Sequence, residues 1–395
     1  MIRRGVWRRV FRGAAPLPGN RIRLLRSGAE FFPALIAALD AARVEIHIET
    51  YIFHADASTL AVREALVGAA RRGVRVRVLI DGIGSRDLPA DWLAVLRGAG
   101  VAVLVYRPLV TGWRANPRSL RRLHRKIAVV DACVAFVGGI NLIDDFEPVR
   151  LPAPRLDFSV EVRGPLLARI HANVRRLWRL VALTQLKTLR RDPPVEPTWP
   201  TDGYMRAAFV VRDNFAHRRD IERAYLAALA LAREEIWLAN AYFLPGRRFR
   251  KLLRKAAARG VKIRLLVQGH TDHPFFQAAA RALYRDLLAA GVAIHEYHAS
   301  ELHAKVAVID GRWATVGSSN IDPLSLLTAR EANVVVDDPE FARELRCRLG
   351  EAFETAHALD ALAWRRRSWA ARGASWLAYG VVRTMVGLTG SGRWD

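Results

Sequence analysis

Two stretches of the sequence, 179 positions apart, share one spacing of polar residues that could do chemistry. Both follow the pattern H-x-K-x4-D-x6-G-[GS]-x-N. The first comprises His124, Lys126, Asp131, Gly138, Gly139 and Asn141, and the second comprises His303, Lys305, Asp310, Gly317, Ser318 and Asn320. The chain has 6 lysines and 56 arginines, yet both repeats place a lysine two residues after the histidine. This choice indicates that the chemistry of the lysine side chain, beyond its positive charge, is required there.

Paired histidines and lysines suit phosphodiester exchange. That reaction needs a nucleophile for phosphorus, an acid for the departing alkoxide and positive donors around the phosphoryl oxygens. Because histidine titrates near neutral pH, one imidazole can be neutral while the other is charged. Two imidazoles can therefore fill the first two roles, and the sequence predicts neither a metal nor another cofactor.

The duplicated pattern resembles the phospholipase D superfamily, whose members build one active site from two such motifs. The similarity covers most of the chain and is greatest to the bacterial cardiolipin synthases of the B type. It is carried by residues 121–131, 136–141 and 317–325. Two small departures, Ala132 after Asp131 and Gly139 where serine is common, leave the assignment intact. The resemblance implies a phosphatidyltransferase that works through a phosphohistidine.

The resemblance also implies roles for individual residues. His124 is expected to be the nucleophile, and His303 the acid that protonates the leaving alcohol and then deprotonates the incoming one. The residues by themselves leave the order of the two histidines open. Lys126 and Lys305 are expected to bind the phosphoryl oxygens. Three further residues are assigned to phosphate binding, namely Asn141, Asn320 and Ser318.

Each imidazole also needs a hydrogen-bond acceptor on its second nitrogen to set its tautomer. Asp157 and Glu331 stand downstream of the two motifs, where the family has similar acidic residues, and are the predicted partners. Asp131 and Asp310 complete the catalytic motifs and are expected to fix loop and strand at the strand ends. No metal is expected at His295, His298 and His303, because their spacing matches no standard zinc pattern and no cysteine joins them.

These residues must be positioned by a duplicated scaffold. Residues 45–53, 72–82 and 99–103 are repeated at residues 235–243, 259–269 and 290–294. In each half a helix with apolar spacing leads into a β-branched strand, a second helix and another strand. The predicted fold is therefore α/β: two tandem phospholipase D-like α-β-α sandwich halves with pseudo-twofold symmetry and one active site at their interface.

Three segments are predicted. Residues 1–200 form the first phospholipase D-like half with a basic N-terminal segment, residues 201–362 form the second half, and residues 363–395 form a basic aromatic C-terminal membrane-surface segment. The boundary near residue 200 follows a proline-rich connector at residues 192–200. An insertion at residues 107–117 is either a substrate-facing loop or an ordinary surface loop.

The net charge limits the classes of binding partner, and the cysteine content indicates the cellular compartment. The 62 basic and 38 acidic residues give a formal net charge of +24, which favours nucleic acid, anionic membranes or phosphorylated substrates. Two cysteines, Cys133 and Cys347, cannot build a disulfide framework, so the cytosolic side is the simpler prediction. No secretory signal is expected, because arginines interrupt the apolar residues of positions 1–12.

The C-terminal segment mixes arginines with aromatic side chains. Arg365, Arg366 and Arg367 lie between Trp364 and Trp369. Such stretches suit an anionic membrane surface, and the run 376–388 is too short to cross a membrane. The alternative is a solvated helix that packs on the second half. The expected location is the cytoplasmic face of the cell membrane, as a peripheral protein.

The leading functional hypothesis is a cardiolipin synthase-like phosphatidyltransferase. By resemblance, its substrates are anionic phospholipids, with phosphatidylglycerol first and phosphatidylethanolamine as a further possibility. A phospholipase D hydrolase and a nuclease of the same superfamily are the alternatives, together with a binding module that has lost its activity. Nucleic acid is not the expected partner, since aromatic residues cluster with arginines at the termini.

Overall fold

The structure is a computed structural model that describes residues 15–108, 121–147, 151–187, 193–200, 202–270 and 274–388. Side chains are described up to residue 385. The basic N-terminal residues 1–12 and most of the insertion at residues 107–117 lie outside the described residues.

The described residues form two successive sets of alternating strands and helices. The first set consists of β1 (Leu17–Arg26), α1 (Ser27–Asp40), β2 (Glu45–Thr50), α2 (Ala57–Arg71), β3 (Arg75–Asp81), α3 (Ala90–Gly98), β4 (Ala102–Tyr106), β5 (Lys126–Val130), β6 (Val134–Gly138), β7 (Phe158–Arg163) and α4 (Leu166–Thr184). The second set consists of β8 (Met205–Arg212), α5 (Asp220–Leu231), β9 (Glu235–Asn240), α6 (Arg247–Ala258), β10 (Lys262–Gln268), α7 (Pro274–Ala289), β11 (Val292–Tyr297), β12 (Lys305–Ile309), β13 (Trp313–Gly317), α8 (Pro323–Leu327), β14 (Glu331–Asp337), α9 (Pro339–Glu354), β15 (His357–Ala358), α10 (Ala361–Arg365) and α11 (Trp369–Leu388).

The two sets have the same strand order. In the first half the order is β4-β3-β2-β5-β6-β7-β1, and in the second it is β11-β10-β9-β12-β13-β14-β8, with β15 added at the edge. The halves join where β1 pairs antiparallel with β8. In each half three parallel strands are followed by antiparallel ones. The predicted α/β fold of two related halves is confirmed.

The core explains why these strands are nearly continuous apolar runs. One buried cluster combines Val137 and Val160 of the first half with Val316 and Val334 of the second. Separate clusters fill the space under the helices of each half. Both faces of the strands are thus removed from water, and the hydrophobic effect holds the halves together as well as each half internally.

Short capping interactions set where helices begin. The Asp56 carboxylate accepts the Thr59 N–H at the start of α2, and the Thr59 side chain returns a bond to the Asp56 N–H, which is a capping box. Asp322 caps α8 by accepting the N–H groups of Leu324 and Ser325. The second of these caps lies directly after the Gly317–Asn320 motif.

Each motif aspartate binds the backbone at the start of a neighbouring strand. Asp131, at the end of β5, accepts the backbone N–H groups of residues 43, 44 and 45, with donor–acceptor distances of 2.8 Å for each. Asp310, at the end of β12, accepts those of residues 233, 234 and 235. Both aspartates have a positive φ of 50°. Each therefore fixes the loop that leads into the neighbouring strand β2 or β9.

The C-terminal helices lie against the second half. The ring of Trp364 lies 5.5 Å from that of Tyr284 in α7. Helix α11 buries Ser375, Ala378, Tyr379 and Val382, while its other side is exposed. Within the described part of the chain, none of the helices has the length and apolar character that a membrane crossing requires.

We expect the motif aspartates to act on stability. Replacing Asp131 or Asp310 with alanine leaves three loop N–H groups without their charged acceptor, which should lower the free energy of unfolding by about 2 to 4 kcal/mol. Urea unfolding followed by circular dichroism measures this change. Asp202→Ala is the control, because the ion pair that it forms with Arg21 is exposed to solvent on both sides. Equal unfolding curves for Asp131→Ala, Asp310→Ala and the control would contradict the assignment.

Candidate active site

One cavity of about 560 Å³ lies between the halves and is lined by polar residues of both motifs. His124 and Asn141 come from the first half, and His303 and Asn320 from the second. Apolar side chains complete the walls, namely Ile52, Leu88, Ile143, Phe276 and Leu324. The structure thus brings the two predicted histidines to a single site.

Each motif histidine is bound to a carboxylate of the opposite half. His124 Nδ1 lies 3.0 Å from Glu331 Oε1, and His303 Nδ1 lies 2.6 Å from Asp157 Oδ2. Both carboxylates are buried. When Nδ1–H donates to the carboxylate, Nε2 is the ring nitrogen left for chemistry. The predicted acceptors are therefore in contact with the imidazoles, but in a crossed arrangement.

Backbone hydrogen bonds also join each histidine to the opposite half. The His124 N–H donates to the carbonyl of Arg330 at 3.0 Å, and the His303 N–H donates to that of Leu156 at 2.9 Å. These bonds belong to two isolated parallel bridges, Leu123 with Arg330 and Leu156 with Leu302. Since Arg330 and Leu156 directly precede the two carboxylate residues, backbone and side chain of each histidine are fixed by the same short segment.

The residues after β6 and β13 shape the pockets for the carboxylates. A Cβ atom on Gly139 would lie 2.2 Å from Asp157 Oδ1, so only glycine leaves room for that carboxylate. At the equivalent position, the Ser318 hydroxyl donates to Glu331 Oε2 at 2.5 Å and accepts the Ala332 N–H. Ser318 was expected to bind phosphate. Its hydroxyl is instead buried and bonded to Glu331 and to the Ala332 N–H, and Ser318 does not line the cavity.

The two motif lysines lie behind the histidines. Lys126 Nζ donates to the carbonyl oxygen of His124 at 2.6 Å, and Lys305 Nζ donates to that of His303. Both lysines are buried and neither is among the residues that line the cavity. Burial lowers the pKa of Lys126 to about 7 and that of Lys305 to about 8. Whether the two lysines are protonated near neutral pH therefore depends on the negative charges close to them.

Burial also shifts the other titratable groups of the site. It lowers the pKa of His124 and, more strongly, that of His303, whose shift is increased by the neighbouring cations Lys305 and Lys126. Burial raises the pKa of Asp157 to about 7. With neutral histidines, two ammonium groups and two carboxylates sum to zero formal charge. A phosphodiester anion would change that balance and favour the protonated bases.

The motif asparagines face the cavity. Asn141 Oδ1 accepts the backbone N–H of Ile52 at 3.2 Å, which fixes the amide and leaves its NH₂ group free to donate. Asn320 lines the cavity from the second half. Both can offer amide donors to phosphoryl oxygens.

Several residues of the site were missed by the sequence analysis. The ring of Tyr51 packs edge-on against His124 at 5.0 Å between centroids. Asp81 Oδ2 accepts the Leu123 N–H, and Gln268 Oε1 accepts the Leu302 N–H, which fixes the residue before each histidine. Asp81 and Gln268 occupy matching places in the sequence repeat, and this match was the available signal.

Arg212 is a further residue that the sequence did not reveal. Its buried guanidinium donates to the carbonyls of Leu327 and Ala329, in the segment that leads to Glu331. In the first half, the Ser27 hydroxyl donates to the carbonyl of Arg155, two residues before Asp157. Different side chains thus support the two carboxylate-bearing segments.

Among the described residues, one group of three side chains has the spacing of metal ligands. Glu45, His47 and His171 are buried, and their ligand atoms lie within 4.8 Å of one another. Glu45 Oε1 is 2.5 Å from His171 Nε2, while the Arg75 and Arg77 guanidinium groups lie 3.3 and 3.9 Å from Glu45 Oε2. The two guanidinium groups oppose a further cation, so this group is a hydrogen-bonded link between α4 and β2.

Comparisons with known proteins identify the family to which the chain belongs. A family model described as "Cardiolipin synthase, PLD-like domain" matches residues 35–145 and 225–352. The chain is 40% identical over 385 residues to cardiolipin synthase B of Escherichia coli strain K12, covering 94% of this chain and 90% of that protein. It is 29% identical over 367 residues to cardiolipin synthase 1 of Bacillus anthracis, covering 91% and 71% of the two chains.

A solved structure shares the fold. The crystal structure of phosphatidylserine synthase from Haemophilus influenzae Rd KW20 matches with a TM-score of 0.71 at 12% identity, covering 95% of this chain and 97% of that one. The family model and the 40% identical relative, together with two halves that share one cavity, define an enzyme of the phospholipase D superfamily. Within that superfamily the chain belongs to the cardiolipin synthase family, and it is a phosphatidyltransferase.

We expect anion binding at this site to take up protons. Each base loses its proton as the pH rises above its pKa, and burial has lowered the pKa of both histidines and both lysines. A bound anion raises these pKa values, so at pH 7.5 sulfate should bind with uptake of up to about one proton. Calorimetric titration in buffers of different ionisation enthalpy measures the uptake. Proton release, or no linkage, would contradict the electrostatic description.

Proposed function

We propose that the protein transfers a phosphatidyl group from one phospholipid to the hydroxyl group of another through a phosphohistidine. The observation that supports this most directly is the pair of histidines in one cavity, each bound through Nδ1 to a carboxylate of the opposite half. A single phosphorus atom between them would meet two Nε2 atoms in line, as exchange of substituents requires.

The proposed reaction has two steps. In the first, His124 Nε2 attacks the phosphorus, the bond from phosphorus to the departing alcohol oxygen breaks, and protonated His303 gives its proton to that oxygen. In the second, the hydroxyl of the acceptor passes its proton to His303 and its oxygen bonds to phosphorus. The bond between phosphorus and His124 then breaks. The electron pair returns to the imidazole, and the site is restored.

The remaining motif residues would stabilise charge. The Asn141 and Asn320 amides are proposed to donate to the phosphoryl oxygens, and the Lys126 and Lys305 ammonium groups to balance the charge from behind the histidines. Such fixed donors in a site of low dielectric contribute several kcal/mol to transition states. Asp157 and Glu331 would hold the tautomers, and Ser318 would hold Glu331.

Phosphatidylglycerol is the proposed donor and acceptor, with cardiolipin and glycerol as products. The similarity to two cardiolipin synthases supports this choice, and the apolar walls of the cavity suit a lipid better than a nucleic acid. Phosphatidylethanolamine is a further candidate substrate. Transfer to water would give phosphatidic acid instead.

We also propose that the protein is peripheral on the cytoplasmic face of the membrane. Helix α11 exposes Trp369, Trp376, Leu377, Val381 and Met385, and exposed Arg365 and Arg366 lie before it. Apolar side chains that enter a bilayer next to arginines that meet lipid phosphates suit an anionic surface. Division into residues 1–200, 201–362 and 363–395 is part of this proposal.

The reaction is tested by product analysis. Purified protein and vesicles of labelled phosphatidylglycerol should give labelled cardiolipin, His124→Ala should abolish turnover, and His303→Ala should accumulate a covalent lipid adduct on His124. The matched control is His357→Ala, which changes an exposed histidine on the edge strand β15. Phosphatidic acid as the main product would favour the hydrolase, and full activity of the double variant His124→Ala/His303→Ala would refute the site.

Membrane binding is tested by vesicle sedimentation. The double variant Trp376→Glu/Leu377→Glu places two charges on the exposed face of α11 and should weaken binding to phosphatidylglycerol vesicles by about tenfold or more. Leu60→Glu, at an exposed leucine of α2, serves as the control. Binding that is unchanged by the α11 substitutions, or equal on neutral and anionic vesicles, would exclude this surface.

A further inference from the structure

An arginine, Arg155, lines the cavity beside His303. Arg155 stands two residues before Asp157, the carboxylate bound to His303. The Leu156 N–H donates to the carbonyl of Glu301 at 2.9 Å. This bond belongs to the bridge between Leu156 and Leu302, which places Arg155 and Glu301 next to each other and next to His303. All three side chains line the cavity.

The Arg155 guanidinium is buried but incompletely bonded. Nη2 donates to Glu301 Oε2 at 3.1 Å and to the carbonyl of Glu147 at 2.6 Å, and Nη1 donates weakly to the carbonyl of Asp144 at 3.4 Å. Nε is buried and has no hydrogen-bond partner among the described residues. A buried donor without a partner is costly, and here it belongs to a cation at the wall of a substrate cavity.

The counterpart of Arg155 in the second half is uncharged. Both Arg155 and Ala329 stand two residues before a histidine-binding carboxylate, and the carbonyl of each accepts a bond from Ser27 or Arg212. A second arginine lines the cavity, Arg122, but its guanidinium is bound through two nitrogens to the Asp81 carboxylate at 2.6 to 3.1 Å. Among the described residues, Arg155 on the His303 side is therefore matched by the uncharged Ala329 on the His124 side, where the other cavity arginine, Arg122, is bound to Asp81.

We propose that Arg155 binds the phosphate of the acceptor lipid, so that the site selects an anionic phospholipid alcohol over water or a neutral alcohol. This inference rests on the proposed function, in which His303 takes the proton of the incoming hydroxyl. The acceptor must therefore approach on the side of Arg155. When that acceptor is phosphatidylglycerol, its own phosphodiester lies one glycerol unit from the attacking oxygen.

Electrostatics makes a separate cation necessary for such an acceptor. In the proposed function the motif asparagines bind the reacting phosphoryl group and the motif lysines balance its charge from behind the histidines, so a second phosphodiester nearby would be repelled by the first. Arginine is suited to the second one, because its planar guanidinium binds two phosphate oxygens at once. Glu301 is the counter-ion that holds Arg155 in place until the acceptor phosphate replaces it.

The test uses the partition of a common intermediate. Vesicles of labelled phosphatidylglycerol with added ethanol let one phosphohistidine yield three products: cardiolipin, phosphatidylethanol and phosphatidic acid. Their ratios depend only on the second step, whatever the rate of the first. Arg155→Gln should lower the ratio of cardiolipin to phosphatidylethanol by about 10- to 100-fold, the loss expected for one charge-assisted contact to phosphate, and Arg155→Lys should lower it less.

A matched control and a second variant complete the test. Arg348→Gln breaks an ion pair with Glu30 that also joins the two halves, at 2.6 Å, but that lies outside the cavity lining. It should leave the product ratios unchanged. If Arg155→Gln does not fold, Glu301→Gln is the variant that tests the proposal. Because it removes the anion that competes for Arg155, it should lower the KM for phosphatidylglycerol as acceptor. An equal or higher KM would overturn the proposal.

The outcomes separate this inference from the proposed function. If the wild-type protein makes no cardiolipin, the proposed function fails. If the wild type makes cardiolipin and Arg155→Gln keeps the wild-type product ratios, the reaction stands and the acceptor subsite is refuted.

Discussion

The hydrogen bond between each motif histidine and a carboxylate of the opposite half is the contact on which the site depends. Glu331 holds His124 and Asp157 holds His303, so each half lacks the acceptor that its own imidazole uses. Burying carboxylates and ammonium groups is costly unless they balance one another. The costs are offset only when the halves close together, because the two signs of charge then meet in one cluster. The protonation state of the site therefore depends on how the two halves pack against each other.

A duplicated scaffold gives two equivalent sets of reacting groups, and single substitutions then make them different. Gly139 leaves space for Asp157, whereas Ser318 donates to Glu331. Tyr51 packs on His124, and the repeat places Ala241 at the matching position. The symmetric part suits a phosphorus atom that exchanges one oxygen substituent for another. The asymmetric part suits the different roles proposed for the two histidines, in which His124 bonds to phosphorus and His303 serves both the alcohol that leaves and the alcohol that enters.

Charge has different functions in different parts of the molecule. Within the site, the formal charges of the lysines and carboxylates cancel, which makes proton affinity sensitive to one bound phosphate. On the surface, a net charge of +24 and the arginines around α11 favour anionic partners. The apolar walls of the cavity suit the lipid substrate proposed above, and the exposed apolar side of α11 suits the proposed membrane surface. A polyanion without acyl chains would interact with the positive surface charge but not with the apolar surfaces.

The sequence by itself determined the order of helices and strands, the duplication, and that the histidines and asparagines of both motifs meet at one cavity. Hydrophobic periodicity and an exact repeat of spacing are local properties, and they predicted α1, α5 and the motif strands β5 and β12 as the structure has them. It also predicted that Asp131 and Asp310 hold loops. Only the tertiary structure decided which carboxylate meets which histidine, that Ser318 serves Glu331, and that Arg155 has no charged counterpart. The pairing of histidines with carboxylates depends on segments more than 100 residues apart, which the bridges at Leu123–Arg330 and Leu156–Leu302 bring together. Ser318 and Glu331 are only 13 residues apart, but their contact depends on the register in which β13 pairs with β14, which residue spacing does not specify.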